Sequence, residues 1–221
     1  MKLSRVLLVL LLSTLPLLAD EHASSITPNE ALERLIAGNK RFAHAQSTLP
    51  RSNTARRIEI SKKQHPFAVI VGCSDSRVPP ETVFDEGLGD LFVVRTAGNV
   101  VSNLEKASIE YAVIHLGTRL VVVMGHQRCG AVEATILEAK DPGHIADLLE
   151  TIEPAVEKAR TQKGNFLDNA VRQNIRDVVT QLKADKPVLA DLVKTGKVEI
   201  VGAYYNLDTG TVTFLDAPKD H

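Results

Sequence analysis

Three short runs, "FAVIVG" (67–72), "LFVVR" (91–95) and "RLVVVMG" (119–125), consist almost entirely of β-branched and other apolar side chains. A strand with one wetted face alternates apolar and polar residues. A run that does not alternate is buried on both faces, which is the situation of a parallel strand covered by helices. The segments around these runs supply the helices. "ITPNEALERLIAGNKRFAHA" (26–45) opens with Thr27 as N-cap, Pro28 at the first helical position and Glu30 closing a capping box. Ala31, Leu32, Leu35, Ile36 and Phe42 then recur at helical spacing, giving an N-terminal helical arm. "SNLEKASIEYAVIHLG" (102–117) repeats the capping box with Ser102 and Glu105 and stops at Gly117. Beyond Gly130 the pattern is helical over 131–139, 144–161 and 165–184, with a short helix after Pro187. The closing stretch 197–216 reads as a strand pair turning at Asp208-Thr209-Gly210, and the polar, basic residues 46–64 read as a loop. The fold class is therefore α/β: a mostly parallel sheet of about four strands flanked by helices, with an antiparallel edge strand or hairpin.

A chain of 221 residues is one domain of ordinary size. Its net charge of −1, with the two signs interspersed and no basic stripe, excludes a nucleic-acid footprint. Residues 1–19 are patterned differently. Lys2 and Arg5 precede an apolar stretch from Val6 to Leu18, and Ala19 comes just before Asp20, which is the layout of a secretory signal peptide. The stretch is short for a membrane span and contains Pro16. The expectation is an exported, periplasmic protein whose mature domain, residues 20–221, is not held in a membrane. Residues 20–65 are its arm and loop. In an oxidising compartment two cysteines usually form a disulfide, and this chain has two, Cys73 and Cys129.

Their surroundings favour other chemistry. In a parallel sheet, ligands bind beyond the carboxyl ends of the strands. Cys73 follows "FAVIVG", His126 follows "LVVVMG", and Cys129 opens the next helix three residues later. If the two strands are neighbours, two thiolates and an imidazole meet at one end of the sheet. That donor set suits zinc with its fourth position left for water, whose pKa the metal lowers to about 7. Asp75 and Arg77 stand two and four residues after Cys73. The aspartate either becomes a fourth ligand or is held away by a bidentate bond to the arginine.

"CSDSR" (73–77) followed by "GHQRCGA" (125–131) resembles the β-class carbonic anhydrases, as do "CSDSRVPPE", "LGDLFVVRTAGNV" and "SIEYAVIHLG" between and around them. The resemblance extends over nearly all of residues 20–221, taken as one catalytic domain. It implies that Cys73, His126 and Cys129 bind Zn2+, that Asp75 and Arg77 form the catalytic dyad, and that the reaction is reversible hydration of carbon dioxide to bicarbonate and a proton. It implies no organic cofactor. It also implies a homodimer or homotetramer in which the arm packs on a partner, and a subset of the family in which Asp75 closes on the metal. Members locked closed by bicarbonate carry a tryptophan three residues before the first zinc cysteine, with an arginine and a tyrosine. Here Ile70, Arg95 and Tyr205 fall at those places, and an open site near neutral pH is expected. Gly130 is expected to offer a backbone N–H to substrate, and Ile70, Val78 or Val83 to line a carbon dioxide pocket. Two alternatives remain at this point: a relative hydrolysing carbonyl sulfide or carbon disulfide, and an exported binding module with a Cys73–Cys129 disulfide.

Overall fold

A computed structural model describes residues 26–140 and 142–215, so the expected signal peptide lies outside the described residues. Five strands form one sheet: β1 (Ala68–Cys73), β2 (Leu91–Thr96), β3 (Leu120–His126), β4 (Glu199–Tyr205) and β5 (Val212–Leu215), in the order β2-β1-β3-β4-β5. The first four are parallel and β5 runs antiparallel at the edge. Every residue of β1 and β3 is buried, as expected of runs that do not alternate. Each of their valines and isoleucines contributes about 1.5–3 kcal/mol relative to an exposed side chain.

The helices are α1 (Pro28–Ala43), α2 (Thr54–Glu59), α3 (Pro80–Val83), α4 (Asn103–His115), α5 (Gly130–Ile136), α6 (Ile145–Ala159), α7 (Phe166–Ala184) and α8 (Leu189–Lys194). Both capping boxes form: Thr27 with Glu30 ahead of α1, and Ser102 with Glu105 ahead of α4. Among the described residues no helix is long and apolar enough to cross a membrane. The arm, α1, buries Ala31, Leu32 and Leu35 in this chain's own core. Asn39 clamps it there, donating to Val83 O at 3.0 Å and Gly210 O at 2.9 Å and accepting from Val212 N at 2.8 Å.

The segment 46–64, expected to be a loop, contains α2, which the Asn53 side chain caps by accepting from Arg56 N. This helix buries none of its residues, so it leaves no apolar period to read. The basic residues here and on α1 face buried acids. Arg41 Nε donates to Asp85 Oδ2 at 2.6 Å, Arg51 Nε to Asp90 Oδ2 at 2.7 Å and Arg34 Nε to Glu86 Oε1 at 3.0 Å. The carboxylates are buried while the arginines stay partly exposed, so losing an arginine leaves a buried charge uncompensated. The β4–β5 turn is built on Asn206, whose Oδ1 accepts from the N–H groups of Asp208 and Thr209, with Gly210 at φ 72°.

The strand order places the site. The chain runs from β1 outward to β2, then returns to lay β3 on the other side of β1. Connections therefore diverge between β1 and β3, and a crevice opens at their carboxyl ends.

Candidate metal centre

Cys73 is the last residue of β1 and His126 the last of β3, on neighbouring parallel strands in register at Gly72 and Met124. After His126 the chain turns through Arg128 at φ 52°, which returns Cys129 toward the strand ends as N-cap of α5. The ligand atoms of Cys73, His126 and Cys129 lie within 4.8 Å of one another, and all three residues are buried.

The donor atoms are poised for a cation. His126 Nδ1 lies 2.9 Å from Gln127 O. A carbonyl only accepts, so Nδ1 carries the proton and Nε2 presents its lone pair. Nε2 is buried and has no hydrogen-bond partner. Leaving such an atom orphaned costs about 1–3 kcal/mol, a cost that a metal ion would remove. Cys73 Sγ accepts from Asp75 N at 3.4 Å and Gly98 N at 3.3 Å. A hydrogen bond from the Cys129 thiol and those two N–H groups draw the Cys73 thiol well below its ordinary range, against the opposing effect of burial. Cys129 is pushed upward by the same shared bond, by burial and by the neighbouring Cys73 charge. One proton shared between two sulfurs is what a divalent cation displaces on binding. The residues present therefore fit zinc.

Asp75 reaches over this cluster and is held by Arg77. Arg77 N and Nε both donate to Oδ1 at 2.9 Å, and Nη2 donates to Oδ2 at 2.6 Å. Those bonds, chiefly the side-chain one, draw the Asp75 carboxyl down to about 2. Oδ2 still lies only 3.7 Å from His126 Nε2. Arg95 anchors the backbone beneath, donating to Cys73 O at 2.8 Å and to Asp75 O at 2.6 Å. Tyr205 is the register partner of His126, and its carbonyl accepts from Gln127 N at 2.9 Å. Ile70 sits inside β1 between Val93 and Val122, fully buried, as are Val78 and Val83. A Cβ at Gly130, the first residue of α5, would meet nothing within 4 Å.

Several residues around the centre have roles that their type and spacing do not predict. Gln127 Nε2 and the Arg128 guanidinium both bind Asp208 in the β4–β5 turn, at 3.1 Å and 2.7 Å, and Gln127 Oε1 accepts from Leu207 N at 3.1 Å. The turn thus braces the segment that carries two of the three donors. Gly98, in "RTAGN", acts through its backbone, which composition and periodicity do not report.

A protein-family model described as carbonic anhydrase matches residues 68–212. The carbonic anhydrase of Mycolicibacterium smegmatis is 40% identical over 190 residues, covering 84% of this chain and 92% of that protein. Carbonic anhydrase 2 of Mycobacterium tuberculosis is 37% identical over 193 residues, covering 86% and 93%. Among solved structures, the β-carbonic anhydrase CcaA is similar with a TM-score of 0.67 and 28% identity, covering 84% of this chain and 95% of that one. The Coccomyxa β-carbonic anhydrase in complex with acetazolamide is similar with a TM-score of 0.66 and 27% identity, covering 83% and 86%.

Proposed function

The chain belongs to the β-class carbonic anhydrase family, and from that premise we propose that it catalyses the reversible hydration of carbon dioxide at a zinc ion held by Cys73, His126 and Cys129. The observation that carries this reading is the buried, unpartnered Nε2 of His126 beside two cysteine sulfurs. Zinc, when bound, supplies Lewis-acid activation of water near neutral pH. The chain's own residues do the rest. Arg77 keeps Asp75 ionised and holds both of its carboxylate oxygens in a fork. Asp75 Oδ2 accepts a hydrogen bond from the attacking water and so aims its lone pair at carbon dioxide. Asp75 is partly exposed, so buffer can approach the centre and take the released proton directly.

Metal analysis, thiol titration under denaturing conditions and stopped-flow hydration on one preparation test this together. The expected result is one zinc per chain, two free thiols and rapid hydration. A metal-free protein with a Cys73–Cys129 disulfide would overturn it, as would hydrolysis of carbonyl sulfide or carbon disulfide without carbon dioxide hydration. Because residues 1–19 have the pattern of an export signal, we take the working compartment to be the periplasm, where zinc must be loaded before the thiols oxidise.

A second copy of the chain fits the sheet's open edge. Among the described residues β2 pairs only with β1, and its Leu91, Phe92 and Val93 are half-buried. Beside it α4 exposes Leu104 and Ile114, and Tyr111 packs on Phe92 with ring centroids 6.4 Å apart. Unpaired apolar edges attract another strand unless they are covered. Light scattering is expected to give at least twice the chain mass, and Phe92→Glu to reduce it. A wild-type monomer at micromolar concentration would count against this assembly.

A further inference from the structure

Helix α7 buries Ala170, Val171, Asn174, Ile175, Val178 and Leu182. Five of these are apolar residues on one helical stripe, and Asn174, 3% exposed, stands among them. A buried amide is tolerated only where it is hydrogen-bonded. Asn174 Nδ2 donates to Gly98 O at 2.8 Å, across 76 residues of chain.

Gly98 is also the residue whose N–H reaches Cys73 Sγ. It stands at φ 67°, and a Cβ there would meet Ile152 Cδ1 at 2.8 Å and Ala131 Cβ at 3.2 Å. Residue 98 is thus wedged between α5 and α6 and held at both polar atoms: its N–H on the sulfur of Cys73, its carbonyl on Asn174. Its conformation, and hence the aim of its N–H, is fixed from α7. The same helix braces β3 from one residue further along, since a Cβ at Gly125 would meet Ile175 at 2.8 Å.

We propose that Asn174 is a positioning residue for the metal centre, acting through Gly98 to hold the backbone N–H that the Cys73 sulfur accepts. This rests on Cys73 being a metal ligand. A hydrogen bond to a ligating sulfur withdraws electron density and fixes its orientation, and loss of such an outer contact typically weakens metal binding by about 10–100-fold.

The full chain is compared with Asn174→Asp, which keeps the shape but loses the donor, and Asn174→Leu, which fills the same space without polarity. Val178→Ala, one turn along the same buried stripe, serves as the packing control. Zinc affinity is read by competition with a chromophoric chelator, and the Cys73 sulfur by the thiolate-to-metal charge-transfer band of the cobalt-substituted protein. Both Asn174 variants are expected to raise the zinc Kd by about tenfold or more and to move the band to lower energy, because a sulfur stripped of a donor gives up charge more readily. Val178→Ala is expected to lower the thermal midpoint and leave affinity and band unchanged. Folded Asn174 variants with wild-type affinity and band would overturn the assignment. So would a Val178→Ala protein showing the same two changes, or two Asn174 variants that cannot fold, since either places Asn174 in the core alone. A wild-type chain that holds no zinc would instead bring down the reading of the centre itself.

Discussion

Cys73→Ser is expected to yield a folded protein that retains no zinc and hydrates carbon dioxide at least about a thousandfold more slowly than wild type, since without a metal the pKa of water rises far above the value of about 7 that zinc gives it. The serine hydroxyl is shorter than the thiol and stays protonated at any working pH. It offers the cation a neutral oxygen where the site has an anionic sulfur. The two backbone N–H groups that converge on Cys73, from Asp75 and Gly98, favour that anion over a neutral hydroxyl. The fold is expected to survive, because Cys73 ends β1 and the strand's apolar residues lie upstream of it. Circular dichroism, zinc content and stopped-flow hydration on the same sample separate loss of metal from loss of structure. A folded Cys73→Ser protein with wild-type zinc and rate would remove Cys73 from the centre. The variant also excludes a Cys73–Cys129 disulfide, so a phenotype seen only under oxidising conditions would favour the bridge instead.

How much of this was legible depends on whether a residue acts through its burial, its side chain or its backbone. The sheet was readable because β1 and β3 are buried on both faces and suppress alternation entirely. The arm and α4 were readable because capping boxes leave residue types at fixed spacing. Cys73, His126 and Cys129 could be brought together before any coordinates, because strand ends in a parallel sheet share one edge. Helix α2 was invisible, since it buries nothing and is held by arginine contacts that look like ordinary surface charge. The buried acid that Arg56 reaches, Asp90, lies 34 residues further along the chain. The bracing of the centre was equally hidden. Gly98 works through its N–H and carbonyl, and Asn174 breaks the apolar stripe that marks the buried face of α7.

Arg77→Gln is expected to keep one zinc per chain yet lose about 10²-fold or more in kcat/KM, the scale of a misplaced positioning group. In the wild type, hydrogen bonds from Arg77 are the main cause of holding the Asp75 carboxyl down to about 2. A depressed carboxylate contributes its stabilisation above the ordinary carboxylate range and loses it only as pH falls toward the folded value. Asp75 is therefore ionised throughout the pH range in which hydration is measured, and its titration does not shape the wild-type profile. Removing the guanidinium takes away the fork on Nε and Nη2 and leaves only the Arg77-position N–H on Oδ1. The carboxyl then titrates nearer its ordinary range, but the larger consequence is geometric. With Oδ2 already 3.7 Å from His126 Nε2, an ionised and unrestrained Asp75 can occupy the position that the attacking water needs. Water ionises more readily as pH rises, whereas Asp75 is already fully ionised, so alkaline conditions favour water in that competition. The residual activity of Arg77→Gln is expected to keep climbing with pH where the wild type has levelled. Arg77→Lys, which keeps the charge without the planar fork, is expected to fall between the two. A wild-type rate and pH profile in Arg77→Gln would show that Asp75 needs no restraint, whereas loss of zinc from the variant would make Arg77 part of metal retention instead. The cobalt spectrum decides how the activity is lost, because a carboxylate taking the place of water changes the donor set while both sulfurs stay in place.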